Sequence, residues 1–250
     1  MTIETALDVI SVDDLKLFYL FGLDLTDDTG TPMPDRLYEH FIKSAVDWVE
    51  KRLDIPIIEK SITEERHDYF KEDYNSYIWL ETREYPVIAV TEVKMVMPGE
   101  VTTQTFDDDW IHLREESGQI NIVPGTGGPS NTLFLANGEW LPYFNGRGRH
   151  IPDVFRITYR AGFETVPANI IDIVGKVASY GPLNIAGDLL GGAGIASQSL
   201  SIDGLSQTFN TTSSATNAGY GARLLQYSKE MKEAIPTLAR YYKGLRLTIV

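Results

Sequence analysis

The residues of this sequence that could do chemistry are mostly carboxylates, and none of them stands in a known catalytic or metal-binding pattern. Asp107, Asp108 and Asp109 follow one another, and hard cations such as calcium prefer several carboxylate oxygens. The stretch lacks the spaced ligands and the closing glutamate of a calcium loop, which favours a solvated acidic turn. Other carboxylates could supply the two catalytic acids of a glycosidase, but the sequence does not show which two lie at the required distance from each other. A carboxylate-based hydrolase is one hypothesis, and it would show a pH-dependent turnover.

The residue types that most often hold metals or cofactors are absent or scattered. The chain contains no cysteine, which excludes disulfides, thiolate catalysis and cysteine-ligated zinc. Its histidines share no ligand spacing, and neither glycine-rich stretch, 125–128 or 191–194, has the residues of a phosphate-binding loop. We therefore expect no metal, no cofactor and no enzymatic activity. The four histidines are His40, His67, His112 and His150.

Two further groups of side chains could contact a ligand or a partner. Arg147, Gly148, Arg149 and His150 form the one basic cluster, which could meet an acidic partner. The second group is aromatic and could form a sugar-stacking platform, although aromatic residues on strands more often belong to a core. Its members are Trp79, Trp110, Trp140, Tyr143 and Phe144.

Composition and charge restrict the class of protein. The chain has 250 residues, of which 43% are hydrophobic and 23% charged, as in ordinary globular proteins. Its net charge of −13 disfavours a grip on DNA phosphates and instead suits a surface past which DNA slides. No apolar run is long enough to cross a membrane, and the first residues are acidic where a signal peptide is basic. We expect synthesis in the cytoplasm and no membrane partner.

The stretch from Asp153 to Tyr180 predicts a strand followed by a helix, and the rest of the chain is arranged around it. Alternating residues from Val154 to Tyr159 predict a half-buried strand. Gly162 permits the backbone angles that end it, and Pro167 suits the first turn of the helix that follows. Pro182 is expected to stop or kink this helix.

Helices are also predicted before and after this stretch. Ser11 followed by Asp14 resembles a helix N-cap, and the residues after it are unusually apolar: Leu15, Leu17, Phe18, Leu20 and Phe21. A long amphipathic helix is predicted from about Pro34 to Leu53, and another from about Tyr220 to Tyr242 with a kink at Pro236.

The middle of the chain is predicted to form strands. A hairpin is predicted from residues 110–113 and 120–123, and further strands from 77–80, 87–97 and 132–135. The predicted fold class is α+β, with helical ends and an inserted antiparallel sandwich or barrel-like domain. The expected domains are a helical domain of residues 1–55 and 164–190, a β-rich domain of 56–163, a flexible Ser/Thr/Gly-rich segment of 191–219, and a final helix with an apolar tail, 220–250.

Several segments in this order carry a family resemblance. The amphipathic helix DRLYEHFIKSAVDWVEKRLDIPI precedes a strand in REYPVIAVTEV, a hairpin in FDDDW and SGQINIVPG, and the junction FRITYRAGFETVPANIIDIVGKVASY. Together they resemble the head–tail connector, or neck adaptor, proteins of tailed bacteriophages, over roughly residues 10–180. The motif residues that match are Tyr85, Pro86, Val87, Tyr159, Ala161, Gly162, Phe163 and Pro167.

The resemblance implies a structural role in a virion. Such adaptors form a ring below the portal protein, often of twelve copies, and extend the DNA channel. Their other side is a docking surface for a tail terminator, stopper or tail tube protein. By this resemblance the partners would be the portal, the tail-side protein and further copies of this chain, with the genome passing through without specific binding.

The apolar tail suggests where docking occurs. A tail that alternates apolar and polar residues needs a partner edge or groove. The hypothesis is that the last helix and tail dock on the portal or on a neighbouring subunit through Tyr220, Leu224, Tyr227, Tyr241, Tyr242, Leu245, Leu247, Ile249 and Val250. The alternative function is a receptor- or carbohydrate-binding β-domain of a phage particle.

Overall fold

The computed structural model describes residues 3–23, 25–27, 29–70, 78–97, 101–123, 150–191, 197–202, 205–210 and 220–243. The chain divides into two compact units. The strand unit comprises Met1–Thr2 and Ile55–Glu164, and the helical unit comprises Ile3–Asp54 and Thr165–Val250. In sequence, the strand unit is therefore inserted into the helical unit.

The helical unit contains five helices among its described residues. The first two are short: α1 spans Ala6–Val9 and α2 spans Val12–Phe18. The long helices are α3, Asp35–Leu53, α4, Ala168–Gly191, and α5, Gly221–Lys243. The predicted cap of α2 is confirmed, because the Asp14 N–H donates to Ser11 Oγ at 3.0 Å. The predicted bounds of α3 and α5 are confirmed to within about one residue.

Periodic apolar residues build the interior of the helical unit. On α3 the fully buried positions recur at intervals of three or four, as in Ile42, Val46, Val49 and Leu53. Helix α4 packs on α3, and glycine permits the approach: a Cβ at Gly181 would lie 2.2 Å from the Phe41 ring.

Helix α4 continues through Pro182 to Gly191, so of the two expected effects of this proline, a stop or a kink, the stop does not occur. An internal proline costs about 3 kcal/mol, since it removes one backbone hydrogen bond. Pro182 and its neighbour Leu183 are both buried, and this packing offsets the loss. Pro236 likewise lies inside α5.

The strand unit contains two antiparallel sheets. One has the order β1-β7-β3-β4, with β1 Lys60–Phe70, β3 Val87–Met97, β4 Val101–Thr105 and β7 His150–Ala161. The other has the order β2-β6-β5, with β2 Ile78–Glu81, β5 Ile111–Arg114 and β6 Gln119–Ile122. The predicted hairpin is confirmed as β5 paired with β6.

Strand β7 differs from the half-buried strand that the sequence predicts. Val154, Phe155, Arg156 and Ile157 are all buried, so both faces of the strand are covered. One face packs in the hydrophobic cluster through Phe155 and Ile157, and on the other face long side chains of the neighbouring strands cover β7, as when Glu64 of β1 binds Arg156 at 3.0 Å. A strand covered on both faces loses the alternation of exposure on which the prediction rests.

One hydrophobic cluster joins the two sheets. It contains Phe155 and Ile157 of β7 together with Ile120 and Ile122 of β6, and it includes Trp110. Trp110 ends a short 3-10 turn, Asp108–Trp110, that leads into β5. The α+β class is confirmed, and the strands that the structure describes do not close into a barrel.

A separate hairpin lies in the segment of residues 191–219, which the sequence analysis expects to be flexible. Strands β8, Ser197–Ile202, and β9, Leu205–Asn210, pair antiparallel from end to end. The sequence between them is Asp203-Gly204, a dipeptide strongly favoured in two-residue hairpin turns. Backbone pairing satisfies the amide and carbonyl groups on the facing edges of the two strands, even though the composition is poor in large apolar residues.

Candidate docking surface

The two parts of the family motif in the strand unit, distant in sequence, are neighbours in the sheet. Val87, at the start of β3, pairs with Ala161 at the end of β7. The Gly162 N–H donates to the Pro86 carbonyl at 2.9 Å. Tyr85 is buried in the same hydrophobic cluster as Tyr159. The motif residues therefore form one structural element of the strand unit.

Gly162 is required at its position by two independent constraints. Its φ of +124° lies in a region that residues with a side chain rarely adopt. A Cβ there would also lie 2.9 Å from the Ile58 carbonyl oxygen and 3.1 Å from Glu59 Cα. Both neighbours are backbone atoms, which cannot move aside as a side chain can.

Tyr159 belongs to a buried polar cluster that sequence reasoning missed. Its hydroxyl donates to Glu65 Oε2 at 2.6 Å and accepts from the Glu84 N–H at 3.1 Å. The other oxygen of Glu65 accepts from the Arg83 N–H at 3.0 Å and lies 2.7 Å from His67 Nε2. The cluster thus ties β1, β7 and the turn after β2 together. No spacing in the sequence signals it, because its members meet only through strand pairing.

The electrostatics of this cluster follow from its hydrogen bonds. Burial acts to raise the pKa of Glu65, but the hydrogen bonds to His67, Tyr159 and the Arg83 N–H outweigh burial and hold that pKa below its ordinary value. Burial, reinforced by the hydrogen bond to Glu65, raises the pKa of Tyr159. A charged carboxylate that accepts from a neutral tyrosine is a stable cross-link between strands.

The remaining motif residues mark the passage from β7 to α4. Phe163 is half-buried just after Gly162. The Pro167 carbonyl accepts from the N–H groups of Ile170 and Ile171 at 2.9 and 3.1 Å, and α4 begins at the next residue. Pro167 therefore starts the helix, as its type predicts.

The carboxylates and aromatic residues singled out in the sequence do not converge in the part of the chain that the structure describes. The Asp107 carbonyl accepts from the Trp110 N–H at 3.0 Å, so the acidic run forms the turn before β5. Trp110 is buried and Trp79 is exposed. Within the described residues no three carboxylate or histidine side chains are placed to hold a metal ion. Residues 124–149, with Trp140, Tyr143, Phe144 and the Arg147–Arg149 cluster, lie outside the described residues.

None of the helices in the described ranges is long and apolar enough to cross a membrane. The helices instead carry the exposed apolar residues from which a docking surface could be built. They lie on α5, where the sequence predicts such a surface, and around α2, where it does not.

Two of the predicted docking residues on α5 contact the helical unit itself. The Tyr242 hydroxyl donates to Asn169 Oδ1 at 3.1 Å. The Tyr227 ring lies 5.9 Å from Lys176 Nζ, which also binds Asp172 and Glu230 at 2.7 Å each. These contacts attach α5 to α4.

The other predicted docking residues on α5 differ in exposure. Tyr241 is 74% exposed, whereas Tyr220 and Leu224 are half-buried. Leu225, which the prediction omits, is 54% exposed. Leu245, Leu247, Ile249 and Val250 lie outside the described residues, so their docking role stays a prediction.

A second apolar surface lies around α2. Leu17, Phe18 and Phe21 are 54%, 68% and 75% exposed, and we call these three residues the α2 surface. The sequence carries the signal: five apolar residues from Leu15 to Phe21 exceed what a short helix can bury on one side. Only two of the five, Leu15 and Leu20, are buried.

A groove of about 400 Å³ opens beside the α2 surface. Its walls include Leu20 and Leu25, both buried, with Met33 and Tyr38. Lys16 stands at its edge and binds Asp35 at 2.6 Å, and Asp13 lies on the same rim. The groove lining is therefore mostly apolar, with one carboxylate, Asp13, and one cation, Lys16.

Comparisons with known proteins found similar solved structures, among them two chains of gene transfer agent particles. No protein-family model matches the sequence, and no curated protein matches it. One chain from the virion of a native gene transfer agent particle has a TM-score of 0.46 and 14% identity. One chain from the neck of an empty gene transfer agent particle, computed with C6 symmetry, has a TM-score of 0.43 and 14% identity. In both cases the match covers 100% of this chain and 96% of the other, and at these TM-scores the likeness carries no argument about function.

Proposed function

We propose that this chain is a structural protein of a tailed-phage particle, located at the head–tail junction of the virion. In this role it is a head-to-tail adaptor that forms a ring below the portal and extends the DNA channel. It also provides the docking surface for the tail or stopper. The partners are the portal protein, a tail-side protein and further copies of the chain, and no enzymatic activity or cofactor is involved.

The observation that carries the proposal is the meeting of the motif segments. The resemblance rests on residues 85–87 and 159–167, which chance matches would scatter over the fold. Instead, Val87 pairs with Ala161, and Gly162 donates to Pro86. Glycine is required at position 162 by the backbone conformation and by the close approach of Ile58, so this match to the motif has a structural cause.

Two properties of the whole chain support the same role. A net charge of −13 disfavours attachment to DNA phosphates, as the wall of a channel for sliding DNA requires. The exposed apolar residues of the helical unit favour binding to other proteins, because such residues leave water on association.

The proposal is tested by negative-stain imaging of the purified chain mixed with the portal protein of its own genome. We expect a ring of this chain at one end of the portal. The matched control is a chain that lacks residues 245–250, which retains every described helix and strand and should not assemble. No association of the full chain with the portal would contradict the proposal, and normal assembly of the shortened chain would contradict the docking role of the tail.

A receptor- or carbohydrate-binding protein is the second candidate, because two aromatic side chains are exposed among the described residues of the strand unit. Trp79 lies on β2, and Phe70 stacks on His150 with ring centroids 4.7 Å apart. Aromatic faces of this kind can stack on sugar rings. A glycan array distinguishes the two functions, since an adaptor binds no glycan whereas a receptor-binding protein does.

A further inference from the structure

The hairpin of β8 and β9 forms a sheet of its own. Among the described strands β8 pairs only with β9, and neither strand joins the two sheets of the strand unit. The register runs without a bulge from Ser197 opposite Asn210 to Ile202 opposite Leu205. Each strand therefore has one paired edge and one outer edge, and no described strand pairs with either outer edge. A two-stranded hairpin alone is marginally stable in water, and an unpaired edge is a template for a further strand.

The register also separates the residues of the hairpin into two faces. Successive residues of a strand belong to opposite faces, and residues opposite each other across the hairpin share a face. One face holds all the large apolar residues of the two strands together with two glutamines, and the other holds only small polar residues. The first face consists of Gln198, Leu200, Ile202, Leu205, Gln207 and Phe209. The second face consists of Ser197, Ser199, Ser201, Ser206, Thr208 and Asn210.

The hairpin carries almost no charge, although the chain as a whole is strongly acidic. Asp203, between the two strands, is the only charged residue between Asp188 and Arg223, whereas 23% of all residues are charged and the net charge is −13. Strand edges that avoid association commonly carry charged residues, especially lysine. Since β8 and β9 carry none, no repulsion between like charges opposes the approach of an identical hairpin.

Identical copies can satisfy both outer edges with one repeated contact. When copies are related by rotation about an axis that runs along the strands, β9 of one copy comes next to β8 of the following copy. Because β8 and β9 run in opposite directions, this contact is antiparallel, like the pairing within the hairpin. A single added strand, from the same chain or from another protein, would leave one of the two outer edges unpaired. A closed circle of hairpins leaves none.

We propose that the β8–β9 hairpins of neighbouring copies join edge to edge, β9 of one copy with β8 of the next, into a closed antiparallel barrel on the axis of the ring. This inference rests on the proposed function, since it assumes a ring of copies around the DNA channel. The contact joins two different edges of identical subunits, so it is a head-to-tail contact, which generates a ring when the rotation closes. Each copy contributes two strands to the barrel.

The two faces of the hairpin then form the two sides of the barrel. The apolar face is the outer side, against the surrounding ring, because apolar residues leave water on association. The face of serine, threonine and asparagine is the inner side and borders the channel. These residues are uncharged, so the lining neither binds DNA phosphates as lysine and arginine do nor repels them as carboxylates do. The barrel is therefore a neutral polar collar through which the genome slides.

Cross-linking between engineered cysteines tests this inference, because the chain has no cysteine of its own. One preparation carries Ser199→Cys on β8, and a second, distinguishable by a size tag, carries Thr208→Cys on β9. Residues 199 and 208 are partners in the hairpin, so they share a face and lie at the same height. The two preparations are mixed with the portal protein and oxidised, and we expect a covalent dimer with one subunit of each kind. Because neighbouring strands of a tilted barrel are staggered, parallel mixtures replace Thr208→Cys with Ser206→Cys or Asn210→Cys.

The matched control is Ser199→Cys mixed with its own tagged form. In the proposed barrel β8 of one copy meets only β9 of another copy. We therefore expect this variant to cross-link with itself about tenfold more slowly than with the best of the three β9 variants, since pairing raises the local concentration of the two thiols. An equally fast product of β8 with β8 would show hairpins paired about a two-fold axis and would overturn the inference.

The remaining outcomes separate this inference from the proposed function. No mixed dimer in any of the three mixtures overturns the inference, because the outer edges are then covered by other residues of the same chain or by another protein. If rings still cap the portal in that case, the adaptor function stands without the barrel. A mixed dimer that forms while no ring binds the portal supports the inference and contradicts the adaptor function.

Discussion

The strand unit and the helical unit of this protein differ in how many of their large apolar side chains are exposed. Among the described residues seven large apolar side chains are exposed, and five of them lie in the helical unit. In the described part of the strand unit only Phe70 and Trp79 are exposed, and one hydrophobic cluster lies between the two sheets. The five of the helical unit are Leu17, Phe18, Phe21, Leu225 and Tyr241.

This difference indicates which of the two units has a surface suited to contact with other proteins. In the strand unit the buried side chains of Glu65 and Tyr159 form their hydrogen bonds within the unit. The helical unit is also closely packed inside, since the Phe41 ring lies where a Cβ of Gly181 would stand. Its exposed apolar residues are therefore a surplus at the surface, which is typical of surfaces that contact other proteins.

The largest expected effect tests the strand unit. Gly162→Val places a side chain against the Ile58 carbonyl at a φ of +124°, so we expect the free energy of unfolding to fall by about 3 kcal/mol or more. The matched control is Gly30→Val, at a φ of +79° with no atom within 4 Å of the added Cβ, which should cost only about 1–2 kcal/mol. Urea denaturation measures both. Equal losses in the two variants would show that the close approach at Gly162 is unimportant.

A smaller effect tests the polar cluster. Glu65→Gln removes a buried charge that accepts three hydrogen bonds, and we expect a loss of about 1–3 kcal/mol at pH 7. Because the pKa of Glu65 is lower in the folded state, its contribution is present above the ordinary value of 4.5 and is lost as the pH falls through the folded-state value. Stability of the unaltered chain should therefore decline more steeply below about pH 4.5 than that of Glu65→Gln. Urea denaturation at pH 7, 5 and 3 measures the free energy of unfolding of both proteins. The same decline with pH in the unaltered chain and in Glu65→Gln would refute this role.

The smallest effect on stability is expected at the α2 surface. Phe18→Gln combined with Phe21→Gln alters side chains that are mostly exposed, so the free energy of unfolding should change by less than about 0.5 kcal/mol. Assembly with the portal should nevertheless be lost, because these side chains belong to the proposed docking surface. Sedimentation velocity with and without the portal measures assembly. A large loss of stability would show that Phe18 and Phe21 belong to the core. It would then contradict the conclusion that the helical unit has apolar side chains in excess of those that its core needs.

Local patterns in the sequence were sufficient for much of the secondary structure. The spacing of apolar residues on α3, the Ser11 cap and the β5–β6 hairpin depend on contacts between residues close in the chain. Such contacts are visible in a short window of sequence. The α+β class follows from the order of these elements.

The candidate site was only partly visible in the sequence. The docking role of Tyr227 and Tyr242 is predicted from their place on an amphipathic helix, and the structure shows in addition that both contact α4. For Leu17, Phe18 and Phe21 the sequence predicts a helix but not an exposed surface. A hydropathy pattern shows that a helix has apolar residues, but the neighbouring elements decide which of them are covered.

The sequence alone specifies the long helices and the β5–β6 hairpin, since their signals are short-range. Only the tertiary structure decided that β7 lies between two other strands, that α4 passes through Pro182, and that the α2 surface stays exposed. Each of these depends on contacts between distant parts of the chain. The free energy of packing at these contacts exceeds the local preference of proline for helix ends and of alternating side chains for a half-buried strand. No short window of sequence contains both partners of such a contact.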